Sequence, residues 1–158
     1  LKKFEKKYPL SITQEEMNEM ITEVKGDLFK SKDSLAHCVS RDLGMGKGIA
    51  TLFVKHFGGK DELKSQNKNV GEVAFLKRGD RFIFYMITKE KYWNIPSYEN
   101  LYKSLKYMAQ MCVENKITRL SMPVIACGLD RLKWSKVKEL ITAAFLKSGV
   151  KITIYVWE

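Results

Sequence analysis

"FIFYMIT", residues Phe82–Thr88, has no face to offer water. Side chains in a strand alternate between two faces, and here both faces stay apolar or aromatic through Ile87. Such a strand sits centrally in a sheet with helices covering both sides. The stretch before it, Glu72–Lys77, reaches it through Gly79-Asp80, residue types that close a hairpin, so these two strands are predicted to run antiparallel. Working outward, β-branched and aromatic content predicts four more strands at Ile21–Lys25, Leu35–Val39, Arg119–Ile125 and Lys151–Trp157. Gly48–Phe57 places Ile49, Leu52, Phe53 and Phe57 near one helical face. Tyr98–Glu114 repeats Leu101, Leu105, Met108 and Cys112, and a later stretch repeats Val137, Leu140, Ile141, Ala144 and Phe145. A shorter helix is predicted over Asp61–Gln66. Thr13-Gln14-Glu15-Glu16 has capping-box spacing and opens a short helix to Met20. Strands alternating with helices, plus one hairpin, predict an α/β protein: a three-layer α/β/α sandwich with a mixed central sheet. Residues 1–20 read as an N-terminal extension and residues 21–158 as one domain, without repeats, linkers or low-complexity stretches.

The bulk composition agrees with one folded unit. The chain has 158 residues, 45% hydrophobic and 29% charged, too apolar for disorder. No apolar run reaches the length of a membrane span, and no signal-like stretch follows the basic N-terminus, so no membrane partner is expected. Since the first residue is Leu1, a start methionine or an upstream segment is expected to be missing. Cys38, Cys112 and Cys127 are odd in number and lack CxxC spacing. With only His37 and His56 beside them, no metal site is expected; the cysteines read as small buried apolar residues in a reducing, intracellular compartment. The net charge of +10 suits an anionic partner, but the lysines are spread over nearly every segment, which argues against a dedicated sequence reader.

Ligands of open α/β sheets gather beyond the carboxyl ends of the strands. Several polar residues fall there. The first strand ends at Gly26-Asp27. The second runs into Gly44-Met45-Gly46-Lys47-Gly48 at the start of a helix. The Phe82 strand ends at Thr88-Lys89, and the Arg119 strand at Cys127-Gly128-Leu129-Asp130. The hairpin leaves open which edge Lys89 reaches. The glycine loop can cradle an anion on backbone N–H groups at a helix N-terminus, or it can be a plain flexible turn. It is not a P-loop, because Gly46-Lys47 is followed by Gly48 rather than Ser or Thr. Lys89 is either a solvated surface charge or, if partly buried, a nucleophilic amine. Asp27 and Asp130 each have an ordinary reading too, as a turn residue and as a cap near Ser135.

Taken together, "VKGDLF" (Val24–Phe29), "SLAHCVS" (Ser34–Ser40), "MGKGIA" (Met45–Ala50), "FGG" (Phe57–Gly59), "GEVAFLKR" (Gly71–Arg78), "MITK" (Met86–Lys89), "YENL" (Tyr98–Leu101) and "SMPVIACGLDRL" (Ser121–Leu132) resemble the macrodomain family. More narrowly they resemble its terminal ADP-ribose protein glycohydrolase branch, in order and spacing, from about Ile21 onward. The resemblance implies an ADP-ribose cleft. Asp27 would accept a hydrogen bond from the adenine amino group, with Leu28 beside it. Gly46, Lys47, Gly48 and Ile49, with Cys127, Gly128 and Leu129, would hold the diphosphate and distal ribose, and Ser40 and Pro123 would complete the contacts. Lys89 and Asp130 match the family's catalytic pair. The implied reaction removes ADP-ribose from glutamate or aspartate side chains: the Lys89 amine attacks the anomeric carbon to form a lysyl adduct, and Asp130 moves protons. A catalytically weak ADP-ribose reader is the alternative. The implied partners are ADP-ribose and ADP-ribosylated proteins, with ADP-ribosylated nucleic acid or poly(ADP-ribose) left open by the charge. A monomer without cofactor or metal, in nucleus or cytoplasm and tied to the DNA damage response, is expected. Ala126 stands where relatives commonly carry glycine, and Val124 where close relatives carry arginine. Tyr92-Trp93-Asn94-Ile95-Pro96 would shape the rim.

Overall fold

The structure, a computed structural model, describes residues 12–126 and 131–157. Helix α1 (Gln14–Met20) leads directly into strand β1 (Ile21–Lys25), followed by a 3₁₀ turn over Leu28–Lys30 and β2 (Ser34–Ser40). Helices α2 (Ile49–Phe57) and α3 (Lys60–Lys64) precede the pair β3 (Val73–Arg78) and β4 (Arg81–Lys89). Then come α4 (Tyr98–Glu114), β5 (Arg119–Pro123), α5 (Trp134–Phe145) and β6 (Lys151–Val156). The six strands form one sheet in the order β1-β6-β5-β2-β4-β3. Only β3 runs antiparallel to its neighbour.

The alternation in β4 organises both layers. Phe84 and Met86 join a core with Leu101, Leu105 and Met108 of α4 and Val137, Leu140 and Ile141 of α5. Ile83, Tyr85 and Ile87 face the other way, onto Phe53 of α2 and Leu63 of α3. All five are essentially inaccessible. Each large apolar side chain buried this way contributes about 1.5–3 kcal/mol, so neither face of β4 can be left bare. The neighbouring β2 divides likewise: Ala36 and Cys38 lie toward α4 and α5, Leu35 and Val39 toward α2.

The local signals act as their chemistry demands. Thr13 accepts from the Glu16 N–H at 3.0 Å while Glu16 Oε1 accepts from the Thr13 N–H at 2.9 Å, completing the capping box. Gly79, at φ +64°, occupies the first central position of the two-residue hairpin turn, where a glycine relieves the positive φ. Most boundaries fall within two residues of expectation. Strand β5 stops at Pro123 rather than Ile125, because the chain then turns away through Ala126 at φ +61°. The 3₁₀ turn was not anticipated; it is nucleated by Asp27, whose Oδ1 accepts from the Phe29 N–H at 2.9 Å. Cys38 is half-buried and Cys112 buried, and burial pushes the Cys112 thiol up to about 12.

Candidate functional site

Because β4 is parallel to β2, the strand ending in Lys89 delivers it to the same sheet edge as the ends of β1, β2, β5 and β6. This resolves the direction the hairpin left open. At that edge the sheet also opens. Strands β2 and β5 pair only at Ser34↔Leu120 and Leu35↔Ser121, their amino-terminal ends, and no rung joins them further along. Their onward connections diverge as well: β2 leads to α2 and α3 on one face, β5 to α5 on the other. A crevice where neighbouring strands part company is the general place for a ligand in an open α/β sheet.

The residues singled out in the sequence border this crevice to different degrees. Lys89 pairs with Ser40 across a bulge in the β2–β4 ladder and is half-buried. The ladder continues past it, with the Arg41 N–H donating to the Lys89 carbonyl at 2.8 Å. Pro123 closes β5, buried and in register with Tyr155 of β6. Asp27 lies beyond β1, half-buried; Oδ1 caps the 3₁₀ turn, and no bond to Oδ2 is present among the described residues. Leu28 is fully buried and belongs to the core on the α2 side of the sheet. Cys127, Gly128, Leu129 and Asp130 lie outside the described residues.

The glycine loop follows β2. Gly46 and Gly48 are exposed, and a Cβ on either would meet nothing. Gly48, at φ +60° and ψ −146°, is the N-cap of α2 and holds a backbone shape open almost exclusively to glycine. No side chain among the described residues caps this helix; the Thr51 N–H is spent on the Gly48 carbonyl at 3.2 Å, which leaves the positive end and the Ile49 and Ala50 N–H groups for an anion. Lys47 is exposed, and Ile49 begins the helix half-buried. The loop lines, with Lys60 and Tyr92, a cavity of about 330 Å³.

Asp42 ties this loop to the sheet and was not anticipated. It accepts from Ser40 Oγ, from the Gly44 N–H at 3.3 Å, and from the Tyr92 N–H. Burial opposes its ionisation, but those three donors and the nearby Lys91 charge outweigh that effect and hold its carboxyl below the usual range. The Ser40 hydroxyl, expected to meet a ligand, is thus committed to Asp42. An aspartate two residues before a glycine is the signature of an Asx turn, and that spacing was readable in Asp42-Leu43-Gly44. Tyr92 lies over Gly44: a Cβ there would come within 3.0 Å of the tyrosine ring. Beside it Trp93 packs edge-on at 5.0 Å, and Tyr92, Trp93 and Ile95 are all more than half exposed. Among the described residues no group of three or more His, Cys, Asp or Glu could hold a metal ion, and no helix is long and apolar enough to cross a membrane.

A sheet between two helical layers, its strands β2 and β5 parting at the carboxyl edge beside a glycine-fronted helix, defines a three-layer α/β domain. The Macro domain sequence profile matches residues 36–141, and the chain belongs to that family. It is 52% identical over 147 residues to the human ADP-ribose glycohydrolase OARD1, across 92% of this chain and 97% of the human protein. The bovine ADP-ribose glycohydrolase OARD1 is 53% identical over 137 residues, across 85% and 90% of the two chains. The macrodomain of Mycobacterium tuberculosis DarG shares the fold with a TM-score of 0.78 at 23% identity, covering 86% of this chain and 97% of that one. Thermosipho africanus DarTG in complex with ADP-ribose does so at 0.77 and 22% identity, covering 89% of this chain and 42% of that one.

Proposed function

We propose that this protein binds ADP-ribose in the crevice between β2 and β5 and hydrolyses its linkage to glutamate or aspartate side chains. One coincidence carries the reading. The crevice is bordered by the strand next to the one that ends in Lys89, in a chain 52% identical to human ADP-ribose glycohydrolase OARD1.

In this reading the Ile49 and Ala50 amides of α2 and the backbone of Gly46 and Lys47 take the diphosphate charge. Asp27 accepts from the adenine amino group through Oδ2, with Leu28 beside it. The Lys89 amine attacks the anomeric carbon of the distal ribose. A carbon–nitrogen bond forms as the bond to the carboxyl oxygen breaks, and the glutamate leaves as a carboxylate. Water then cleaves the lysyl adduct, releasing ADP-ribose and restoring the amine. The resemblance assigns Asp130 the proton transfers, and Cys127–Leu129 the distal ribose.

Incubation with glutamate-linked ADP-ribosylated protein should release ADP-ribose, and Lys89→Ala should abolish release while retaining ADP-ribose binding. Unchanged turnover in that variant would overturn the nucleophile. Ala126, whose methyl group occupies a backbone position suited to glycine, favours the reader as second reading. Tight calorimetric binding beside a flat time course would select it, and absence of binding would remove both. The net charge of +10 makes ADP-ribosylated nucleic acid or poly(ADP-ribose) a further substrate class. Its turnover should fall steeply with salt, because phosphate contacts do.

A further inference from the structure

A second cavity, of about 280 Å³, lies on the β3–β4 side of the glycine loop, away from the crevice between β2 and β5. Its floor is apolar: Leu43, Leu63, Ala74 and Ile87 are each at most 4% exposed. Its polar walls hold Arg41, Lys64, Lys68 and Asn67, with one carboxylate, Asp42. Lys68 is half-buried and held in place, donating to Tyr107 Oη at 3.1 Å, and Arg41 pairs with Glu90 at 3.3 Å on the surface. The Asp42 carboxylate is turned to the donors Ser40, Gly44 and Tyr92, which offset its repulsion of another anion. An apolar floor beside Lys64, Arg41 and Lys68 suits a small molecule with an apolar body and an anionic end.

We propose that this cavity is a binding site for a small organic phosphate, distinct from the ADP-ribose crevice and coupled to it through Asp42. Asp42 lines the cavity and also fixes the glycine loop through the Gly44 N–H. A ligand seated against Asp42 changes the field at its carboxylate and so the set of the loop. By thermodynamic linkage, ADP-ribose must alter affinity for the organic phosphate by the same factor.

The test uses phenyl phosphate, inorganic phosphate and benzyl alcohol as probes of charge with ring, charge alone and ring alone. Each is titrated by calorimetry into the full chain, free and saturated with ADP-ribose. Phenyl phosphate should bind in both states and roughly tenfold tighter than either partial probe. Lys64→Glu, an exposed change, should weaken it roughly tenfold while leaving ADP-ribose binding intact. Phenyl phosphate should also shift the ADP-ribose dissociation constant several-fold, an effect that Asp42→Asn removes. Ala74→Leu, which fills the floor, should block phenyl phosphate alone. Competitive displacement by ADP-ribose, indifference to Lys64→Glu, or no saturable binding would each overturn the proposal. If ADP-ribose itself fails to bind, the Lys64→Glu comparison on the free protein still decides whether the cavity is a site.

Discussion

Ala126 holds a backbone angle that its own side chain resists. At φ +61° an L-residue crowds its Cβ against the following carbonyl, at a cost of about 1–2 kcal/mol, which glycine avoids. The Ala126 methyl is buried, so removing it forfeits about 0.8 kcal/mol of apolar burial. Strain outweighs burial, and Ala126→Gly should stabilise the protein by about 0.5 kcal/mol. The urea midpoint should rise with the denaturant slope unchanged. Gly48 is the opposite case. Its conformation excludes a Cβ although the space around it is open, so Gly48→Ala should destabilise by about 1–3 kcal/mol. The same variant should weaken ADP-ribose binding measured by calorimetry, because it moves the amides at the head of α2.

At the scale of elements, Thr13→Ala removes one half of the capping box and should cost about 1 kcal/mol. The loss should show as faster amide exchange confined to α1, since that helix buries no residue of its own. Elements such as this one, β4 and the hairpin were legible because each is dictated by a local rule: reciprocal capping, two-sided apolarity, a glycine at a positive φ. The candidate site was legible in its positions only. Lys89 and the glycine loop could be placed at strand ends, but which edge Lys89 reached depended on pairing between distant strands. No local pattern encodes that β4 aligns with β2 instead of following the sense of β3. The parting of β2 and β5 was equally hidden, because it is a property of two strands with half the chain between them.

For the whole molecule, the weak point lies in the core between the sheet and α2. His37, on β2, is stacked on Phe53 with ring centroids 3.7 Å apart and meets Tyr85 edge-on at 4.9 Å. Among the described residues neither ring nitrogen has a hydrogen-bond partner, nor does the Tyr85 hydroxyl. Burial lowers the His37 pKa from 6.5 to about 3 and pushes that of Tyr85 up. The folded protein therefore keeps His37 neutral, while the unfolded chain takes up a proton once pH falls below about 6.5. Its contribution is complete above that pH and is lost as pH falls toward 3. Between pH 7 and 4.5 the loss from this group should reach about 2.5 kcal/mol. His37→Phe keeps a ring on Phe53, and its unfolding midpoint should fall less over that interval than the wild type's. Equal pH slopes in the two proteins would mean that another group governs acid sensitivity.

The contact between Tyr92 and Gly44 has an evolutionary corollary. Because the aromatic ring lies 3.0 Å from where a methyl would stand, a side chain at position 44 requires the ring to give way, which ties the two positions together. Across divergent homologues the pair should covary, and lineages that lose the tyrosine should be those in which the glycine is free to change.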